Sequence, residues 1–493
     1  MTDHRAAWAR AMAGDYRPAE ALLDGDPADG WREALRATCW MAAPHALEAP
    51  ETMHDGDPDA RAIVTATRAR AALLAMDWRG HAGFAPGGAS GLAADLAEEH
   101  AALRALAEGD ALGSRERFDA LRRRSEAPSV VVDAASWAAL AALDAGELDD
   151  AVARARRASR MARTEGLLQS EYLANLVLAR VRRHAGAPHL ATRILGQLRA
   201  VAPTPWHAWI DRERALAGES TLAREAQWRP LFDAARAGDR DAFDAAREAR
   251  LAEARGFAPF EKEARAIAAG LDPDAPARGP FERGARALSP HGVVDPAEDD
   301  GPVAHVWIRP DGARRVLDAG RGLVRGAWIP EDLREQRAST FASVLALGGP
   351  MELDAAFEAV YGFAFTSAKH DAVMRTLLHR TRALLEGAAE IDRDGYRLTL
   401  RAHRPLLIPD PRCARPPEQR ILAALAAGGG GAREIAGRVR VPLRTVQLAL
   451  KRLVDDGAAR VEREGRRVSY VVEDTTFAEP TLSRLRARPA QRR

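Results

Sequence analysis

Residues 432–472 run AREIAGRVRVPLRTVQLALKRLVDDGAARVEREGRRVSYVV, and their spacing defines a small unit of helices closed by a hairpin. Ala432 to Val439 suits one helix, with Ile435 and Ala436 turned inward. Val441 closes a turn, and Pro442 takes a first helical position, where its missing N–H costs nothing. Leu443 to Asp456 predicts the next helix, with Val446, Leu450 and Leu453 on one buried face. Gly457 ends it. Ala459 to Arg463 and Val468 to Val472 predict two strands, joined by a turn at Glu464-Gly465-Arg466-Arg467. Upstream, Glu418 to Ala427 predicts a further helix, joined through Gly428 to Gly431, a flexible glycine connection.

The same periodicity leaves Arg444, Thr445, Gln447 and Leu448 near the exposed start of the helix after Pro442. Arginine can bond guanine in bidentate fashion and glutamine can do so with adenine. Lys451, Arg452, Arg466 and Arg467 suit phosphates or the minor groove, which positions a protein without specifying sequence. Twelve Lys and Arg stand against six acids over 415–472, a local charge of about +6, although the whole chain carries only +2. Ile435-Ala436, Arg444-Thr445-Val446-Gln447, Leu450, Leu453 and Asp456-Gly457 together resemble the winged helices of MarR-, IclR- and ArsR-like bacterial regulators. That resemblance implies that the helix after Pro442 lies in a major groove with the hairpin as its wing.

A second, similar unit precedes it. Val306-Trp307-Ile308-Arg309-Pro310-Asp311-Gly312 followed by Arg315-Val316-Leu317 predicts a hairpin turning at Pro-Asp-Gly. Helices are expected over Ser339 to Leu347, Glu352 to Tyr361 and Ser367 to Glu386, the last capped by Ser367. Glu390 to Leu398 makes a closing hairpin. The helix order, the long third helix and Gly395-Tyr396-Arg397-Leu398 resemble the OmpR-type effector domain of response regulators. Carried over by position, Lys369, His370, Met374, Arg375, His379 and Arg380 face DNA. The charge argues the other way: over 321–400, ten basic residues meet eleven acids, a net of about −1, so protein docking stands beside DNA binding here.

From Met1 to about Asp272, Ala, Leu, Arg and Glu dominate at helical spacing. A unit recurs in which Gly ends a helix and Ala follows five residues on: Gly14 with Ala19, Gly146 with Ala151, Gly186 with Ala191, and more weakly Gly238 with Phe243. Glycine takes the turn and the small alanine permits close helix approach. This pattern, with Gly14-Asp15-Tyr16 at its first turn, resembles the tetratricopeptide repeat and implies a stacked array that binds a protein or a small-molecule effector. Trp8, Trp137, Trp206, Trp209 and Trp228 are expected as core anchors between helices rather than as a ligand groove.

The expected fold is therefore mainly α: a TPR-like α-solenoid (1–272), a linker (273–302), an OmpR-type winged helix (303–402), a Pro-rich linker (403–417), a second winged helix-turn-helix (418–474) and a basic tail (475–493). A chain of 493 residues accommodates several such units. Cys39 and Cys413, far apart and without spaced ligands, argue against a disulfide framework or a zinc site and for a reducing compartment. Neither a signal peptide nor an apolar run of membrane-spanning length occurs, so a cytoplasmic protein is expected. No cofactor or metal is expected. Ser289, His291 and Asp295 have the residue types of a hydrolytic triad but sit in a linker without a strand-turn-helix, so no catalytic residue is expected. Gly428 to Gly431 lacks the Lys-Ser/Thr of a phosphate loop. The expected function is a DNA-binding transcriptional regulator whose partner is double-stranded DNA, with a homodimer compatible. The alternative is an adaptor whose winged helices dock proteins.

Overall fold

The computed structural model describes residues 4–23, 30–42, 49–51, 53, 55–88, 90–185, 187–217, 228–237, 239–271, 305–311, 314–317, 336–409, 417–455, 458–465 and 467–472. The expected linker 273–302, the tail 475–493, Ser289, His291, Asp295, Cys413, Gly186, Gly238, Gly457 and Arg466 lie outside these residues. Mainly helical, with small antiparallel sheets toward the C-terminus, the chain divides into two compact units. One comprises Met1–Leu222, Leu251–Glu263 and Pro417–Arg493, the other Ala223–Arg250 and Ala264–Pro416.

The first unit opens with α1 (His4–Met12), α2 (Tyr16–Ala21), α3 (Trp31–Ala42), α4 (Pro58–Leu74), α5 (Trp78–Gly83) and α6 (Gly91–Glu108). It continues through α7 (Ala111–Arg124), α8 (Pro128–Asp144), α9 (Leu148–Glu165), α10 (Leu168–His184), α11 (Pro188–Val201) and α12 (His207–Leu216). From α7 to α11 each helix packs chiefly on its sequence neighbours, while α6 lies between α4 and α7; α6 also touches α8, and α8 touches α10. The turns are made as the spacing predicts: Gly14 (φ 79°) and Gly146 (φ 85°) are left-handed. Ala19, Ala151 and Ala191 are fully buried, so a larger side chain at any of them would push the paired helices apart. Asp57, Asp77 and Asp110 start their helices by accepting backbone N–H bonds at 2.9 Å. Trp8, Trp137, Trp206 and Trp209 are buried in this unit.

Three further helices, α13 (Arg229–Ala237), α14 (Arg240–Ala254) and α15 (Ala258–Leu271), precede the strands. The second unit then carries β1 (His305–Ile308) and β2 (Arg314–Leu317), the expected hairpin, antiparallel with Val306 opposite Val316. Helices α16 (Gln336–Gly348), α17 (Leu353–Tyr361) and α18 (Ser367–Leu384) follow, with β3 (Met351–Glu352) between the first two. Hairpin β4 (Ala389–Asp394) and β5 (Arg397–Ala402) turns at left-handed Gly395, and β5 is the centre of a β3-β5-β4 sheet. One apolar core joins Phe341, Leu345, Phe357, Met374, Leu378 and Leu398.

Two expectations are corrected here. Residues 403–417 are not wholly a linker, because β6 (Leu406–Pro409) pairs antiparallel with β1, Ile408 lying opposite Val306. Leu406, Leu407 and Ile408 are apolar enough to be fully buried, and that outweighs the prolines flanking them. Ser367 does not cap α18: Thr366 precedes the helix, and Ser367 Oγ instead donates to Asp371 Oδ2 at 2.7 Å.

The chain returns to the first unit with α19 (Pro417–Ala427), α20 (Ala432–Val439), α21 (Leu443–Asp455) and the hairpin β7 (Ala459–Glu464) and β8 (Arg467–Val472). Gly428 to Gly431 is no slack connection. Gly430 exchanges both backbone hydrogen bonds with Tyr470, at 3.1 and 2.9 Å, which pins the hairpin to the end of α19. The glycines are needed because a Cβ on Gly429 would sit 2.9 Å from the Tyr470 carbonyl oxygen.

Candidate nucleic-acid interface

Helix α21 exists because Val446, Ala449, Leu450 and Leu453 recur on one face, and all four are buried against Ile421, Leu422, Leu425 and Ile435. The opposite face is left to polar residues. Arg444, Gln447, Leu448 and Lys451, spaced i, i+3, i+4 and i+7, are exposed and form one stripe. Leu448 is 56% exposed, a large apolar side chain outside the apolar core of its module. Arg444 and Lys451 have no ion-pair partner among the described residues, so their charge is uncompensated at short range.

The other cations divide by what they touch. Arg452, assigned to phosphates from the sequence, is exposed but holds Glu418 through Nη1 at 3.1 Å, tying α21 to the start of α19. Thr445 is only half-buried, beside the stripe. Arg467 is exposed at the start of β8, and Arg466 lies outside the described residues. Arg438 is occupied by the fold, since its Nη1 donates to the carbonyls of Ala424 and Gly428 at 3.0 and 2.8 Å and so satisfies the last turn of α19. Arg420 does the same for Val439 O at 2.5 Å. At least four of the twelve local cations are thus engaged within the module, Arg420 and Arg438 by backbone carbonyls, Arg452 by Glu418 and Arg460 by Glu462. Arg433 and Arg440, not singled out by periodicity, are exposed without ion-pair partners among the described residues. Arg440 closes α20 in the left-handed region at φ 50°, a conformation that only the tight turn before α21 explains.

What covers the module matters as much as what it exposes. Its apolar cluster includes Ala187 and Leu190, at the start of α11. Helix α19 is the element that meets α11, so the array seals the α19 side and leaves the α21 stripe open.

In the second unit, Lys369, Arg375, His379 and Arg380 are exposed along α18, whereas Met374 is 2% exposed and belongs to the core. The assignment of Met374 to a DNA face is therefore corrected: its i, i+3, i+4 relation to Leu377 and Leu378 puts it on the apolar side. His370 is half-buried. Its ring stacks on Phe357 at 4.9 Å and its Nδ1 accepts the backbone N–H of Thr366 at 2.8 Å, so it holds the start of α18 in place. The exposed face also carries Val373, with Phe363 near the helix start and Tyr396 at the hairpin tip, all large and apolar.

Among the described residues no group of His, Cys, Asp or Glu is placed to hold a metal ion, and no helix is long and apolar enough to cross a membrane. No protein-family model matches this chain, and neither does any curated protein or solved structure.

Proposed function

We propose that the chain is a DNA-binding regulator in which residues 417–472 act as a winged helix-turn-helix and α1–α12 as a TPR-like array that receives a signal. The observation that carries this reading is the uncovered stripe Arg444, Gln447, Leu448 and Lys451 on α21, beside a hairpin tipped by Arg467. Arg444 and Gln447 have donors suited to guanine and adenine edges, and Leu448 suits a thymine methyl. Lys451 meets phosphate. Coupling to the array follows from Ala187 and Leu190, which make the start of α11 part of the DNA-binding module's own core.

The test is an anisotropy titration of the full chain against genomic fragments that include its own promoter region, at several salt concentrations. Arg444→Ala and Gln447→Ala each relax base preference by about 1–3 kcal/mol at one position, while Lys451→Ala weakens all sequences alike and lowers the salt slope by about 1. A chain without DNA affinity at low salt overturns the proposal. For residues 305–409 a second reading is favoured, docking of a protein. Its support is the exposed Val373, Phe363 and Tyr396 together with a local charge of about −1 over 321–400.

A further inference from the structure

The array contains a charge imbalance in a buried place. Arg70 on α4 donates from Nη1 to Asp133 Oδ2 on α8 at 2.6 Å and from Nη2 to Glu99 Oε1 on α6 at 2.5 Å. Trp137 Nε1 adds a third bond, to the same Glu99 oxygen, at 3.0 Å. Glu99 is 4% exposed and Asp133 2%. Their other oxygens, Glu99 Oε2 and Asp133 Oδ1, are buried with no hydrogen-bond partner among the described residues. One guanidinium thus faces two carboxylates, and each carboxylate keeps one acceptor unused. Buried acceptors left this way cost free energy unless something donates to them.

Both carboxylates line a cavity of about 20 Å3, with Arg70, Thr67, Ser129 and Gln169 among its other walls. That volume admits one non-hydrogen atom, the size of a water molecule or a single ammonium head. Adjoining it, and sharing Trp8 and Ser129 as walls, is a larger cavity of about 430 Å3. This is the size of an ordinary small-molecule site. Its charges are already matched: Arg5 pairs with Glu126 at 3.0 Å and Arg124 with Asp95 at 3.4 Å. The excess charge of the pair of cavities is therefore one carboxylate, at the inner end.

We infer that the two cavities form a site for a small primary amine, whose ammonium group enters the inner cavity between Glu99 and Asp133 and whose body lies in the outer one. An ammonium supplies the missing unit of positive charge and has three N–H donors, enough for Glu99 Oε2, Asp133 Oδ1 and one neighbouring oxygen of Thr67, Ser129 or Gln169. A guanidinium or trimethylammonium head exceeds the inner volume. Burial raises the Glu99 pKa against the opposing pull of Arg70, and an arriving cation reverses that penalty. The regulatory meaning of the site rests on the array being the sensing part; the binding chemistry does not.

The test uses the full chain without DNA, read by thermal shift and by tryptophan fluorescence, since Trp8 walls both cavities and Trp137 bonds Glu99. Butylamine and 1,4-diaminobutane raise Tm and change the fluorescence in a saturable way, whereas 1-butanol, butyltrimethylammonium and KCl do not. Asp133→Asn weakens butylamine binding at least about thirtyfold, the lower range for loss of a buried charged contact. Because that variant disturbs Arg70, Ala9→Trp serves as a second: Ala9 is exposed on α1 at the wall of the outer cavity, so the fold is kept while the amine response is lost. Equal responses to butylamine and 1-butanol, unchanged binding in both variants, or a high-resolution structure grown with butylamine that shows water only in the inner cavity overturns the inference. DNA affinity measured on the same preparation separates its failure from failure of the regulator reading.

Discussion

Arg183 donates from both Nε and Nη2 to Oε2 of Glu213, at 2.9 and 2.7 Å, with both side chains fully buried. They stand at the centre of a larger network. Arg183 Nη2 also reaches Glu263 Oε1 at 2.6 Å, Arg180 Nη1 meets Glu213 Oε1 at 2.7 Å, and Arg212 Nη2 meets Glu263 Oε2 at 2.7 Å. Arg212 and Arg180 further lie over the Phe260 ring at 3.8 and 4.6 Å. Burial alone would raise the Glu213 carboxyl, but Arg183, Arg180 and Arg212 outweigh it and hold it at about 2. The network locks α10, α12 and the segment 251–263 together.

Breaking such a network by neutralising one partner strands the remaining charges. Glu213→Gln leaves three guanidiniums facing one carboxylate and is expected to destabilise the first unit by about 3–5 kcal/mol. Urea unfolding followed by far-UV circular dichroism checks this, and a midpoint within error of the parent refutes it. Arg5→Ala, which removes an exposed pair with Glu126, changes the stability by less than about 1 kcal/mol.

The first unit is expected to lose stability in mild acid for a specific reason. His100 is buried with both ring nitrogens unpartnered among the described residues, its ring 4.7 Å from that of His81. Burial, with His81 and Arg104 adding to it, lowers its pKa from 6.5 to about 4. The unfolded chain therefore takes up a proton near pH 6.5 that the folded chain refuses until about pH 4. Stability falls as pH drops through that window, by roughly 1.4 kcal/mol for each pH step of one. His184, lowered to about 4 chiefly by burial, acts in the same direction. His100→Phe flattens the decline measured by urea midpoints between pH 7 and 4, and an unaltered slope contradicts the assignment.

Two glycines of the C-terminal module respond oppositely to alanine. A Cβ at Gly429 would lie 2.7 Å from Val471 Cγ1 and 2.9 Å from the Tyr470 carbonyl oxygen, so Gly429→Ala loosens the hairpin at a cost of about 1–3 kcal/mol. Gly437, inside α20, has nothing within 4 Å of an added Cβ, and Gly437→Ala stabilises by up to about 1 kcal/mol. Thermal unfolding of the two variants separates them in sign.

Leu190 tests the join between array and module. It is 1% exposed and sits in the core that contains Ile421, Leu425 and Leu450. Leu190→Ala is expected to cost about 2–5 kcal/mol and to speed amide exchange in both α11 and α19. Faster exchange in α11 alone would mean that the module does not depend on the join.

Much of the local structure was legible in the sequence. The bounds of α20 match those expected, and α21 begins at Leu443 as expected, because Ile435, Val446, Leu450 and Leu453 announce their faces by spacing alone. Gly14 and Gly146 take their left-handed turns for the reason the repeat implies. Strand β6 was hidden because three apolar residues between prolines, Leu406, Leu407 and Ile408, carry no periodicity. The bridge at Gly430 was hidden because a glycine run has no side chain to show which backbone will approach it. Met374 lies on the apolar face of α18 with Leu377 and Leu378, a placement that helix spacing shows and position within the resemblance does not.

The sequence by itself determined the helices, their turns and the cationic stripe of α21, since these depend on residues within a few positions of one another, and local spacing encodes which face is apolar. Only the tertiary structure decided that Arg180 and Arg183 meet Glu213 and Glu263, that Glu99 and Asp133 share one guanidinium, and that Leu190 enters a core more than two hundred positions downstream. Charge pairing and burial are set by distance in space, and an arginine bound for the surface has the same letter as one bound for the interior.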